Sequence, residues 1–130
     1  MTIPPLKRIL VAEDEADILE LVTMILESLG GFEVEGCTSG TALLGRAPTF
    51  SPDLILMDVM MPALSGPETL ARLREDPRLE TIPVVFMTAK VQRHEIRRYR
   101  DLGVIGVIAK PFDPMRLVET ITGIWSMHHG

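Results

Sequence analysis

The sequence predicts an α/β fold built on one parallel sheet with helices on both faces. Three observations carry that expectation. Five short runs rich in Val, Ile and Leu recur along the chain, and such runs bounded by loop residues read as strands buried on both faces. Segments with apolar residues at helical spacing follow them. Regular alternation of the two implies right-handed β–α–β crossovers, and hence parallel neighbours.

The strand cores are expected near residues 8–12, 32–37, 53–57, 83–87 and 105–109. A first helix over about 15–29 puts Ile18, Val22, Ile25 and Leu29 on one stripe, and Gly30-Gly31 stops it. Ser39 is placed to cap a second helix that runs to about Ala47, with Pro48 and Pro52 bracketing the next loop. Ser65 and Glu68 have capping-box spacing, and Pro67 is tolerated in a first turn, so a third helix should reach about Asp76. A fourth covers about 91–102 and ends at Gly103. Asp113-Pro114 reads as an N-cap and first-turn proline, opening a fifth helix to about Ser126 with Leu117, Val118, Ile121, Ile124 and Trp125 on its apolar face. At 130 residues, without linker or low-complexity run, the chain is expected to be one domain, with its core at about 6–127.

Composition excludes several classes. A net charge of −5 offers no general basic field for nucleic acid. One cysteine, Cys37, excludes an intrachain disulfide and fits a reducing compartment. His94, His128 and His129 are too scattered in sequence to build a metal site with it. No apolar run approaches the roughly 20 residues needed to span a bilayer. The start from Met1 to Lys7 lacks a signal-peptide core. The expectation is a cytoplasmic protein without membrane insertion.

Function is written at the strand ends. Glu13-Asp14 follow the first strand, Asp58 ends the third, Thr88 the fourth, and Lys110-Pro111 follow the fifth. In an open α/β sheet, ligands sit outside the carboxyl ends of strands. Three carboxylates, a hydroxyl and an ammonium at one edge suit a hard cation beside a phosphoryl group. Each alone has a plainer explanation: an acidic helix start, a strand-end hydroxyl, a surface lysine. Asp58 is harder to explain away, because it follows four apolar residues, a poor place for an idle carboxylate.

The motifs VAEDE, DLILMDVMMPALSG, VVFMTA and AKPFDP, in that order and each on a strand end, resemble the receiver domains of two-component response regulators, the CheY-like superfamily. The resemblance covers nearly the whole chain. It implies a flavodoxin-like sheet of order 2-1-3-4-5 flanked by five helices. It implies Asp58 as phosphoryl acceptor, with Thr88 and Lys110 stabilising the phosphoryl oxygens. It implies Mg²⁺, or Mn²⁺ in its place, held by Asp14, Asp58, the Met60 backbone carbonyl and, through water, Glu13. A cis Lys110-Pro111 bond is also implied. The partners would be a sensor histidine kinase or histidine phosphotransfer protein, and a downstream protein target. The chain would be a phosphoacceptor that assists its own phosphorylation and dephosphorylation, and not a classical enzyme.

Physical reasoning adds one expectation: without a cation, three clustered carboxylates repel one another and one pKa rises. One departure from the family matters, and one further region is informative. Relatives mostly carry Tyr or Phe three residues before the lysine, where this chain has Val107, so the usual aromatic relay is missing. The fourth helix sets Arg93, Arg97, Arg98 and Arg100 against Glu95 and Asp101 in an acidic chain, with few apolar anchors: Val91, Ile96, Tyr99 and Leu102. It reads as a solvated basic face or as a weakly anchored partner surface. Competing readings are a receiver-shaped scaffold that is never phosphorylated and a haloacid-dehalogenase-type phosphatase. The latter needs an acid two residues after the nucleophile, where Met60 stands. The absence of an output segment leaves a stand-alone regulator or an excised domain, and the Met1 start favours the former.

Overall fold

Five parallel strands form one sheet in a computed structural model that describes residues 2–130. They are β1 (Arg8–Ala12), β2 (Glu33–Cys37), β3 (Leu54–Asp58), β4 (Val84–Thr88) and β5 (Gly106–Ala109). The order is β2-β1-β3-β4-β5, as the resemblance implied. Every residue of β3 and β4 is buried, which is why they read as unbroken apolar runs. The edge strands β2 and β5 are partly exposed and less apolar.

The helices are α1 (Ala16–Ser28), α2 (Gly40–Phe50), α3 (Gly66–Glu75), α4 (Arg93–Asp101) and α5 (Leu117–His129). They divide the core in two. One half joins Leu10, Ile55, Met57 and Phe86 of the sheet to Leu43, Leu70, Leu73 and Tyr99 of α2, α3 and α4. The other joins Ile9, Leu56 and Met87 to Val22, Leu26, Ile121 and Trp125 of α1 and α5.

Several helix boundaries differ from the sequence-based expectation. α2 does not stop at Ala47 but runs through Pro48 to Phe50. Phe50 is buried, its ring lies 4.2 Å from the Arg8 guanidinium, and its carbonyl accepts from Arg8 Nε at 2.8 Å. These contacts outweigh the donor that proline removes. α5 does not open at Asp113-Pro114. The Asp113 carboxylate accepts from the Met115 amide at 2.9 Å, forming a local turn, and the helix starts at Leu117. At its other end α5 continues to His129, where the imidazole packs 4.2 Å from the Trp125 ring. In α1 the helix ends at Ser28, so Leu29 falls off the apolar stripe and is 58% exposed; Leu26 takes its place. α4 is slightly shorter than expected, and Val91 and Leu102, counted as its anchors, are exposed beyond its ends.

The expected capping box on α3 is present: the Glu68 amide donates to Ser65 Oγ at 3.2 Å and the Ser65 amide to Glu68 Oε1 at 3.0 Å. The box fixes α3 close against the end of β3. A Cβ on Gly66 would lie 2.7 Å from the Asp58 carbonyl oxygen, so only glycine fits that approach.

Candidate functional site

The site is built by continuing the parallel ladder past the strand ends. The Glu13 amide donates to the Cys37 carbonyl at 3.0 Å, Val59 to Met87 at 3.0 Å, and Lys110 to Thr88 at 2.9 Å. Each chemically distinctive residue therefore leaves from backbone that neighbouring strands already hold. Asp58 pairs with Met87 in register, which sets Thr88 one residue further along the adjacent strand.

The carboxyl oxygens of Glu13, Asp14 and Asp58 lie within 4.8 Å of one another. Lys110, whose bond to Pro111 is cis, reaches across the cluster. Its ammonium donates to Glu13 Oε1 at 2.7 Å and to Asp58 Oδ2 at 3.0 Å. Glu13 is completely buried and Asp58 nearly so, while Asp14 is exposed. Asp58 Oδ1 accepts from the Met60 amide at 3.3 Å.

One ammonium faces three carboxylates, and the imbalance falls on Glu13. Burial pushes its carboxyl up to about 7, and the hydrogen bond and charge of Asp58 add to that, while Lys110 pulls the other way. For Lys110, burial alone would lower the pKa, but its bonds to Glu13 and Asp58 prevail and hold it above the usual lysine value. One carboxyl pKa is raised, as expected, and it is that of Glu13, but burial is the chief cause and the neighbouring Asp58 only adds to it.

Glu13 Oε2 is buried without a hydrogen-bond partner among the described residues. An orphaned buried carboxylate oxygen is costly, and three converging oxygen donors suit a hard divalent cation. The residues present fit such an ion. Thr88 is buried at the end of β4. Its Oγ1 accepts from the Lys90 amide at 3.0 Å, and no hydrogen bond joins it to the acid cluster. The Met60 side chain is 63% exposed at the rim. Sequence reasoning found every member of the cluster but missed the bond between Lys110 and Glu13, which spans 97 residues. No local pattern announces such a contact.

A two-faced parallel sheet of order β2-β1-β3-β4-β5, with an acid cluster and a lysine at its carboxyl edge, defines a doubly wound α/β domain with a candidate cation site. The family model described as "Response regulator receiver domain" matches residues 9–122. The chain belongs to that family of two-component signalling domains. It is 40% identical over 95 residues to a "Probable transcriptional regulator ycf29" of Pyropia yezoensis, covering 72% of this chain and 42% of that protein. It is 35% identical over 115 residues to a "Polar-differentiation response regulator DivK" of Brucella ovis, covering 88% of this chain and 93% of that protein. Among solved structures, the chemotaxis response regulator CheY4 of Vibrio cholerae matches with a TM-score of 0.84 at 26% identity, covering 92% of this chain and 99% of that one. The chain spans about half the length of several curated relatives it matches. Among the described residues, no helix is long and apolar enough to cross a membrane.

Proposed function

We propose that this receiver domain accepts a phosphoryl group on Asp58 from a histidine kinase or histidine phosphotransfer protein, in a Mg²⁺-dependent reaction, and signals by protein contacts that differ between its two states. The observation that carries the proposal is the Lys110 ammonium bridging Glu13 and Asp58 beside the orphaned Glu13 oxygen.

The transfer runs as follows. A carboxylate oxygen of Asp58 attacks phosphorus, the P–N bond of the phosphohistidine breaks, and its electron pair stays on the imidazole. Asp58 is fixed by β3, by the Met60 amide and by Lys110, so little orientation remains to be found. Lys110 offsets negative charge arriving at that carboxylate. The Thr88 hydroxyl carries a hydrogen that it can turn to donate to a phosphoryl oxygen. Asp14, Asp58 and the Met60 carbonyl would hold the cation, with Glu13 acting through water. The ion would supply charge neutralisation between acceptor and phosphoryl oxygens.

The same reading takes residues 1–130 as one domain with its core at about 6–127, puts the chain in the cytoplasm, and gives the arginine-bearing face of α4 to a downstream protein. Its test is intact mass after acetyl phosphate and Mg²⁺. One acid-labile phosphoryl group is expected, lost in Asp58→Asn. Equal labelling of Asp58→Asn would refute the acceptor.

A further inference from the structure

The sheet face that carries Thr88 also holds an aromatic pair. Phe86 and Thr88 are two residues apart on β4, so their side chains leave the same face. Phe86 pairs in register with Val107 on β5. The ring of Tyr99, from α4, stands edge-on to Phe86 with centroids 5.5 Å apart and planes at 85°. Val107 packs, partly buried, against the same cluster. Tyr99 is the chain's one tyrosine and, at 1% exposure, heads its largest fully buried side chains. It is also the one buried side chain of α4. The strand offers a small side chain at 107, and the ring beside it comes from the facing helix.

We infer that Tyr99 is the residue through which phosphorylation of Asp58 moves α4, an inference that rests on the function proposed above. A phosphoryl group on Asp58 offers the Thr88 hydroxyl a charge-assisted hydrogen bond, stronger than the bond it now accepts from Lys90. If Thr88 turns toward the site, it withdraws volume from the face it shares with Phe86. Packed interiors do not keep such voids, because the lining atoms lose their dispersion contacts. Val107 cannot fill the space, since a β-branched side chain is stiff at χ1 and short. The Phe86–Tyr99 pair is the neighbouring group large enough to respond.

Where the ring sits has a consequence. A ring on β5 could rotate while its backbone stayed in the sheet ladder. Tyr99 is carried by a helix with no other buried side chain, so repacking its ring displaces the helix itself. The loop leading into α4 is released in the same step, because the Lys90 amide loses its Thr88 acceptor. On the outer side of α4, Arg93, Arg97 and Arg100 are exposed and move with it. Tyr99 is thus a positioning residue for the surface assigned to the partner.

A single tyrosine permits a direct test. 3-Fluorotyrosine incorporated in the full chain labels position 99 alone. Its ¹⁹F spectrum is recorded before and after phosphorylation by phosphoramidate and Mg²⁺, with intact mass measured on the same sample. The resonance is expected to shift in step with the phosphorylated fraction. A mass gain with an unmoved resonance overturns the role of Tyr99 and leaves the acceptor assignment standing. Absence of a mass gain overturns the proposed function, and this inference with it. Hydrogen exchange supplies the second arm. Tyr99→Phe keeps the ring and should keep the phosphorylation-dependent change over residues 90–102, whereas Tyr99→Leu should be phosphorylated but lose that change. A change of equal size in Tyr99→Leu overturns the inference.

Discussion

The two sides of the sheet's carboxyl edge are built differently. On one side, β1 and β3 deliver Glu13, Asp14 and Asp58 from interior strands paired on both flanks, with every residue of β3 buried. On the other, β4 passes into α4, a helix held by one buried side chain and flanked by exposed Val91 and Leu102. The acid cluster needs fixed positions, since phosphoryl transfer is mostly positioning and charge stabilisation. A signalling element needs the opposite, a low cost of moving, and such elements come from the weakly anchored parts of a fold. The domain separates the two demands by one strand.

The sharpest way to break that contrast is to truncate a core residue on each side. Leu56 is fully buried at the centre of β3, so Leu56→Ala should cost roughly 2–5 kcal/mol of global stability. Ile96 of α4 is only partly buried, and Ile96→Ala should cost about 1 kcal/mol or less. Denaturant unfolding of both variants measures the difference. Equal losses would mean that α4 is as firmly held as the sheet, and the separation would fail.

A second test concerns charge at the fixed side. The Glu13 carboxyl is raised from 4.5 to about 7 in the folded state, chiefly by burial. For a raised acid, the folded protein binds a proton that the unfolded chain has released, so stability falls as pH rises between those two values. Chelated protein should therefore be more stable near the lower end of that window than above it. Glu13→Gln should flatten the dependence, and saturating Mg²⁺ should shrink it by favouring the ionised carboxylate. Urea midpoints across the window, with and without Mg²⁺, provide the measurement. A midpoint that rises with pH in the chelated protein would contradict the assignment of burial as the governing cause.

Much of this was legible in the sequence, for a physical reason. Strands buried on both faces are apolar throughout, so the polar residue that ends each one stands out, and Asp58, Thr88 and Lys110 were found that way. The α3 capping box was legible because its bonds are local, three residues apart. What escaped depends on contacts distant in the chain. The run of α2 through Pro48 rests on Arg8 holding Phe50, 42 residues away. The C-terminal turn of α5 lies beside Trp125, which is pinned to the Pro4 carbonyl at 2.8 Å. The bond from Lys110 to the buried Glu13 joins residues 97 apart. Tyr99 was read as one weak anchor among several, and only its edge-on contact with Phe86 distinguishes it.

The smallest expected effect lies in the loop that joins the fixed acceptor to α3. Ala63 has φ of 65°, in the left-handed region, where a Cβ crowds the backbone and glycine does not. Non-glycine residues held there cost of the order of 1 kcal/mol or more. Ala63 is exposed, so replacing it removes no buried contact. Ala63→Gly should therefore stabilise the fold, by about 1 kcal/mol at most, because the extra freedom of glycine in the unfolded chain offsets part of the relief. The substitution tests the contrast at its finest scale. If the loop holds Asp58 through the hydrogen bond from Met60 and the close seat of Gly66, relaxing Ala63 should leave the phosphorylation rate unchanged while the unfolding midpoint rises. A slower rate with a higher midpoint would show instead that strain at Ala63 helps to aim the acceptor, and that the fixed side of the site extends into this loop.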